Sequence, residues 1–195
     1  MADGEGGVGP ASDEGGVGPA SDDDVAQADE IVTFWETARV RARLGRIAVV
    51  TGVGAESVLP PPAWSFGDSP ELADELLALV LSGQKRATAT SAAELAAAGE
   101  PVPQVGDLSI VLDGAGHPRA LIRTTEVRVA RFGDVDEEFA AREGEDDGTL
   151  ESWRREHAKY YRRVLEGTGV EFGEDLEVVL ETFEVLYPGV PAQGG

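Results

Sequence analysis

Cysteine is absent from this 195-residue sequence, and histidine, lysine and long apolar runs are scarce. Without cysteine, disulfide bonds, thiolate nucleophiles and cysteine-bound zinc or iron-sulfur sites are excluded. Two histidines, His117 and His157, leave little for a histidine-rich metal site, so we expect neither a metal nor a cofactor. Apolar runs such as Ile47–Val50 are far shorter than the ~18 to 20 residues that cross a bilayer, so no membrane partner is expected. The N-terminus lacks the basic and apolar regions of a signal peptide, which predicts a cytoplasmic protein.

Acidic residues dominate the charge. The chain has 37 Asp and Glu against 16 Lys and Arg, a formal net charge of -21, and residues 64–188 hold 26 acids and 12 bases, a net of -14. Phosphate contacts need Lys or Arg, and such a surface repels a polyanion beyond a Debye length of ~8 to 10 Å. The charge therefore favours a nucleoside, a short oligonucleotide or one phosphate over an extended duplex.

Composition divides the chain into segments. Residues 1–30 hold nine acids, no base and two copies of EGGVGPASD, which predicts a disordered acidic tail. Residues 31–63 begin with helical spacing, and we expect this helix and its linker to pack on the main domain through Phe34 and Trp35. The run at 47–54, IAVVTGVG, lacks the third glycine and the lysine of a phosphate loop, which argues against nucleotide binding there. Residues 189–195 are expected to be flexible.

Residues 64–188 predict an α+β domain. Ser69 or Asp68 and Pro70 begin a helix that Gly83 ends. Strand-like stretches lie at 86–90, 108–112, 120–131 and 176–187, interleaved with helical ones at 91–98, 134–142 and 149–165. Since the strands do not alternate regularly with helices, we expect a small mixed β-barrel with packed helices rather than a doubly wound sheet.

Lys85 is one of only two lysines and lies between a helix stop and a strand. Partial burial would make its amine a general base or an anion anchor, and the hydroxyl of Thr88 could be activated by such a base. Because positions i and i+3 of a strand face opposite ways, the two converge only if residues 85–87 form a turn or bulge. The alternative is an exposed lysine and an ordinary strand threonine.

The helix from Thr149 places Trp153, His157 and Tyr160 on one narrow arc and its basic residues, Arg163 among them, nearly opposite. The aromatic arc is typical of a core or a cleft wall. A histidine on such an arc, here His157, is typically a hydrogen-bonded structural residue. The preceding EGEDDG, residues 143–148, lacks the ligand spacing of an EF-hand and is typical of a solvated loop.

Three segments together closely resemble the ASCH family. They are PPPAWSFGDSPELADELLALVLSGQKRATATS, VPQVGDLSIVLDGAGHPRALIRTTEVRVARFGDV and EEFAAREGEDDGTLESWRREHAKYY, and the resemblance covers about Trp64 to Tyr187. It implies a PUA-like β-barrel whose cleft takes RNA or a modified nucleoside. The family's G-x-K-x-x-T motif is matched by Gly83, Lys85 and Thr88.

The resemblance also implies candidate site residues. In a small member that hydrolyses the acetyl amide of N4-acetylcytidine, the lysine is the base, the threonine the nucleophile, and a glutamate on a later strand completes the triad. Alignment by strand length puts Arg123 at the glutamate's position, with Glu126 three residues on, so Glu126 is the acid only if the register shifts. The cleft is expected to bind its ligand through seven further side chains: Trp64, Phe66, Arg86, Arg123, Trp153, His157 and Tyr160.

Three functions follow as hypotheses. The first is a binding module for RNA or a nucleoside, with Lys85, Arg86 and Arg123 forming a locally basic cleft. The second is a hydrolase that uses Lys85 and Thr88 on an acylated nucleoside or, like other members described as single-strand ribonucleases, on RNA. The third is a protein-interaction module whose acidic tail binds a basic partner. The sequence does not define the oligomeric state.

Overall fold

The structure, a computed structural model, describes residues 22–44 and 59–188. These ranges contain five α-helices: α1 (Asp22–Arg41), α2 (Pro70–Ser82), α3 (Ala92–Ala98), α4 (Glu137–Glu143) and α5 (Leu150–Val164). They also contain five strands: β1 (Ala63–Trp64), β2 (Ala87–Ser91), β3 (Leu108–Leu112), β4 (Pro118–Arg131) and β5 (Glu177–Tyr187). Within the described ranges, no helix combines the length and the apolar character needed to cross a bilayer.

The strands form one mixed sheet in the order β1-β3-β4-β5-β2. β1 runs parallel to β3, and the other neighbours are antiparallel. The α+β class is as predicted, but the closed barrel is wrong. Over the described residues β1 and β2 are the two edges of an open sheet. β1 has only two residues, and both pair with β3.

The helix starts and stops predicted from the sequence are confirmed at three capping residues. Ser69 is the N-cap of α2, where its Oγ accepts a hydrogen bond from the backbone N–H of Leu72 at 3.2 Å, and Pro70 occupies the first turn. Gly83 ends α2 with a φ of 90°, a conformation that favours glycine. Thr149 caps α5 in the same way, accepting from the N–H of Ser152 at 3.1 Å.

Both faces of the sheet are covered. Val178 and Leu180 of β5 point to one face, where they pack in a cluster with Phe139 of α4 and Trp153 of α5. Phe183 points to the opposite face and packs with side chains of α2. Since side chains alternate along a strand, Glu181 lies on the same face as Phe183. This alternation places a carboxyl group beside an otherwise apolar layer.

The N-terminal helix packs on the edge of the domain. Trp35 is 3% exposed and lies with Ala38 against side chains of β3 and β4, and the ring of Phe34 lies 5.6 Å from that of Tyr187. α1 begins at Asp22, so residues 22–30 of the predicted tail are helical. Residues 1–21, 45–58 and 189–195, which include the glycine-bearing run at 47–54, lie outside the described residues.

Candidate functional site

A cleft of about 1440 Å³ opens between α2, β2, α3 and α5. Six of the predicted site residues line it: Trp64, Phe66, Thr88, Trp153, His157 and Tyr160. Trp64 and Phe66 meet edge to face with 4.6 Å between ring centroids, and the ring of Trp153 stacks on that of His157 at 4.2 Å. The hydroxyl of Tyr160 donates to Oε1 of Glu94 at 2.6 Å. The cleft therefore has aromatic walls on two sides.

Lys85 lies beneath the cleft with a side chain that is only 1% exposed. The residue follows the C-cap of α2, and its backbone N–H donates to the carbonyl of Leu79 at 3.0 Å. Its Nζ contacts Oε1 of Glu145, lies 3.8 Å from Oε2 of Glu143 and lies 5.1 Å from the ring centroid of Phe66. The amine is neither exposed nor free, because two carboxylates meet it.

The backbone around Gly144 brings these carboxylates to the lysine. Gly144 ends α4 with a φ of 64°, and a Cβ there would lie 2.6 Å from the carbonyl oxygen of Gln84. The side-chain amide of Gln84 donates to the carbonyl of Gly144 at 2.7 Å, and the N–H of Arg86 donates to the carbonyl of Arg142 at 2.7 Å. This close approach requires glycine, and it turns Glu143 and Glu145 toward Lys85.

His157 completes a group of four ionisable side chains, which we call the charge cluster: Lys85, Glu143, Glu145 and His157. Glu145 is 29% exposed, and the other three are largely buried. Nε2 of His157 lies 3.2 Å from Oε2 of Glu143. Burial opposes ionisation of Glu143, but the positive charges of His157 and Lys85 outweigh it and hold the pKa of Glu143 below its ordinary value. Burial likewise lowers the pKa of His157, but the charge of Glu143, its hydrogen bond with the ring and the charge of Glu145 together outweigh burial, and the net shift is upward. The charge cluster thus pairs two carboxylates with Lys85 and, when its ring is protonated, with His157.

Glu143, Glu145 and His157 also offer the three donor atoms of a possible metal site, all within 4.8 Å of one another. The ammonium of Lys85 already contacts two of these three groups. A divalent ion would add two positive charges to a cluster that is already balanced. The donor set therefore fits an internal ion-pair network better than a metal.

A second polar group lies on the sheet. Thr88 of β2 is directly opposite Glu181 of β5, and both line the cleft. Directly opposite residues of an antiparallel pair project from the same face. Thr124 Oγ1 donates to Oε1 of Glu181 at 2.5 Å. Burial raises the pKa of Glu181 despite this hydrogen bond, and the nearby charge of Asp107 adds to the effect.

Three predicted site residues lie elsewhere. Arg86 donates to the carbonyls of Val80 and Lys85 at 2.8 and 2.7 Å and so binds the end of α2. Arg123 is paired with Glu184, its neighbour across β4 and β5. Glu126 is exposed beside Arg142 in a separate groove of about 200 Å³. None of the three lines the cleft formed by the described residues.

The charge of the cleft differs from the expectation. Among the described residues its lining has ten Asp and Glu side chains against one lysine and one arginine, Lys159 and Arg163, besides His157. The structure therefore has no basic cleft formed by Lys85, Arg86 and Arg123. Lys85 is neutralised beneath the cleft by two carboxylates, and Arg86 and Arg123 lie outside the cleft. Glu145 and Glu181 are instead the charged groups nearest to the motif residues.

Sequence reasoning missed five residues that bear on the site: Glu94, Glu143, Glu145, Arg163 and Glu181. The EGEDDG segment was interpreted as solvated, yet its first and third residues turn inward. The available signal was Gly144 between two acids at the end of a helix, since a left-handed C-cap redirects the residues beside it. Glu181 carried a weaker signal, a lone acid between apolar residues of a strand.

Comparisons with known proteins agree with this architecture. The ASCH domain pattern matches residues 62–187. The chain belongs to the ASCH domain family. The crystal structure of an ASCH domain from Lactobacillus crispatus JV V101 is 32% identical, with a TM-score of 0.62, and the match covers 75% of this chain and 94% of that one. Protein EF3133 from Enterococcus faecalis V583 is 33% identical, with a TM-score of 0.65, over 80% of this chain and 88% of its own. A comparison with curated proteins gives no match.

Membership of the ASCH family relates this fold to a general class of function. ASCH domains are PUA-like and are generally linked to RNA binding. In this ASCH domain the lysine and threonine of the G-x-K-x-x-T motif both lie at the cleft, the threonine in its wall and the lysine beneath it. No hydrogen bond joins these two side chains in the described part of the chain, since Nζ of Lys85 is directed to the carboxylates.

Proposed function

We propose that this ASCH domain binds a single RNA-derived base or nucleoside in the cleft and does not bind an extended RNA backbone. The observation that carries the proposal is the lining: aromatic walls combined with many carboxylates and few cations. Each feature fits one part of such a ligand.

The aromatic side chains fit a base. Trp64 and Tyr160 line the cleft and are partly buried, whereas Phe66 and Trp153, also in the lining, are each about 5% exposed. Unstacked RNA bases are commonly recognised by stacking on such rings, and each stacked base contributes ~1 to 3 kcal/mol. The partly buried rings of Trp64 and Tyr160 thus present aromatic surface on which a planar base could stack.

The carboxylates fit amino groups on the edge of a base. Oε2 of Glu94 is buried without a hydrogen-bond partner, while its Oε1 accepts from Tyr160. Glu181 has its Oε1 occupied by Thr124. A carboxylate accepts well from an exocyclic amino group such as that of cytosine. A base that donates from its edge would therefore find carboxylate acceptors in the cleft lining.

The same carboxylates oppose a polyanion. Binding of single strands through phosphates scales with the number of Lys and Arg contacts, with a salt slope of about -0.7 per phosphate. One lysine and one arginine in the described lining, with Lys159 paired with Glu156, supply few such contacts. Recognition is thus directed to the base and its sugar.

Calorimetric titration with the four ribonucleosides, and with N4-acetylcytidine, tests the proposal. At least one nucleoside should bind, and Trp64→Ala should weaken it about tenfold, which corresponds to the loss of one stacked ring. Trp64→Phe, which keeps a ring, is the matched control and should retain most of the affinity. Absence of binding by every nucleoside, in a protein whose melting curve shows it to be folded, would contradict the proposal.

A second candidate, a hydrolase, is favoured by the placement of Thr88 opposite Glu181. In such a reaction Thr88 Oγ1 would bond to the acyl carbon while its proton passes to Glu181. The bond from that carbon to nitrogen would then break, the amine would leave with the proton, and water would hydrolyse the Thr88 ester. A carboxylate with a raised pKa is a better proton acceptor than an ordinary one. Glu181 would fill the acid position here instead of Glu126.

Turnover of N4-acetylcytidine and of labelled single-stranded RNA distinguishes the candidates. Thr90→Ala is the matched control for Thr88→Ala, because both threonines belong to β2, line the cleft and are partly buried. A hydrolase loses its turnover in Thr88→Ala and keeps it in Thr90→Ala. If the wild-type protein binds a nucleoside without turnover, the hydrolase is excluded and only the binding proposal remains.

A further inference from the structure

Arg163 reaches across the mouth of the cleft. It belongs to α5, and its guanidinium donates to Oδ2 of Asp68, which lies 95 positions earlier in the chain, just before α2. Both residues line the cleft and both are about half exposed, with side-chain exposures of 59% and 41%. The pair therefore joins two walls of the cleft at the solvent boundary.

Arg163 is, with Lys159, one of two exposed Lys or Arg side chains in the described lining, and its guanidinium lies beside the ring of Tyr160. Of the other cations near the cleft in the described ranges, Lys85 is buried under its carboxylates and Lys159 is paired with Glu156 on its own helix. His157 is engaged by Glu143. The partner of Arg163 is a single exposed carboxylate, and exposed pairs of this kind are weak and exchange readily.

The position of Arg163 relates it to the aromatic wall. Its guanidinium carbon lies 5.8 Å from the ring centroid of Tyr160, whose hydroxyl is fixed by Glu94. A base stacked at Tyr160 would thus have a guanidinium beside it, at the solvent side. Arginine presents a planar set of donors that matches a phosphate in two-point contact.

We propose that Arg163 binds a phosphate group of the ligand at the mouth of the cleft, where Asp68 competes for the guanidinium. The proposal rests on the function inferred above and narrows the ligand to a nucleotide, or an RNA end, with one phosphate outside the cleft. Arg163 then determines the preference of the cleft for a nucleoside monophosphate over the nucleoside. The carboxylates deeper in the cleft oppose further phosphates, so one phosphate is favoured over several.

The test compares affinities for each nucleoside and its 5′-monophosphate at low salt. In the wild-type protein we expect the monophosphate to bind about 3- to 10-fold more tightly, and the ratio to fall toward one in 0.5 M salt because the pair is exposed. Arg163→Ala should bring the ratio of monophosphate to nucleoside affinity to about one. Asp68→Asn should raise the ratio, since it removes the competing charge. Arg162→Ala is the matched control: Arg162 is the neighbouring residue, but its guanidinium lies over Phe172 at 4.6 Å and outside the cleft.

The outcomes distinguish failure of the phosphate role of Arg163 from failure of the proposed nucleoside binding. If nucleosides bind but the phosphate gives no gain, or the gain persists in Arg163→Ala, the role of Arg163 is wrong and the proposed function stands. If no nucleoside or monophosphate binds, both fail. If Arg163→Ala does not fold, Asp68→Asn decides, because an unchanged ratio in that variant overturns the competition.

Discussion

Lys85 and Glu143 lie together beneath the cleft, each 1% exposed, with 3.8 Å between Nζ and Oε2. The pair is one side of the charge cluster, in which Glu145 and His157 supply the remaining charges. Burial of a charge is costly unless it is compensated, and here each charge has a partner of opposite sign. The cluster also joins α4, α5 and the end of α2, so its integrity determines the shape of the cleft floor.

Glu143→Gln is expected to destabilise the fold by about 3 kcal/mol, because removal of one partner leaves buried positive charge uncompensated. Urea denaturation at pH 6 measures the effect. The matched control is Glu138→Gln, one turn earlier near the start of the same helix, where the carboxylate is exposed and paired only with Arg142. That substitution should change stability by less than about 0.5 kcal/mol. Equal effects of the two substitutions would contradict the importance of the charge cluster.

The cluster predicts a stability maximum between about pH 4.5 and 6.5. The pKa of His157 in the folded protein is raised above 6.5, so its contribution is present below pH 6.5 and is lost as the pH rises through the folded value. The pKa of Glu143 is lowered below 4.5, so its contribution is present above pH 4.5 and is lost as the pH falls through the folded value.

Urea midpoints measured from pH 4 to 9 check this prediction. His157→Gln should flatten the alkaline decline, whereas His117→Gln, at the exposed turn beside α1, should leave it as in the wild type. An alkaline decline of unchanged steepness in His157→Gln would show that the histidine is not coupled to folding.

The N-terminal helix is predicted to be part of the folded domain. Trp35→Ala should cost about 4 kcal/mol, since it empties a large buried site between α1 and the sheet. Deletion of residues 1–21, whose composition predicts a disordered tail, should leave the melting temperature unchanged. Thermal melts of the two variants provide the measurement, and a large fall on deletion of 1–21 would refute the tail interpretation.

The lining of the cleft predicts how RNA length and salt affect binding. Affinity for a nucleoside should change little between 50 and 500 mM salt, and a single-stranded dodecamer should bind no more tightly per site than a dinucleotide. The reason is that additional phosphates meet carboxylates instead of cations. Fluorescence anisotropy of labelled RNA measures both trends. A steep rise of affinity with RNA length would instead indicate a basic path on the surface.

Local signals predicted most of the architecture. Caps such as Ser69, Gly83 and Thr149 and the alternation of apolar residues in β5 depend on neighbours in the chain, so they can be read from the sequence. Closure of the sheet cannot be predicted from such local signals, because it depends on whether two edge strands that are distant in the sequence meet. Here β1 is too short to do so, and the expected barrel is an open sheet.

The site was harder to predict than the fold for a similar reason. The aromatic arc of α5 follows from helical periodicity, and the lysine and threonine follow from the family motif. The charges around them depend on long-range packing: Glu145 meets Lys85 across 60 positions, and Asp68 meets Arg163 across 95. The one local indication that two members of the acidic loop turn inward is Gly144 between them, and it does not say which groups they meet.

The central claim is that one base or nucleoside occupies the aromatic cleft. The three tryptophans provide the direct test, because Trp64 and Trp153 line the cleft while Trp35 lies in the cluster beneath α1. In an ¹H–¹⁵N spectrum titrated with ribonucleosides and their 5′-monophosphates, the account predicts that the indole signals of Trp64 and Trp153 shift with saturation and that of Trp35 does not. Three unmoved indoles at millimolar ligand, or a shift confined to Trp35, would contradict it.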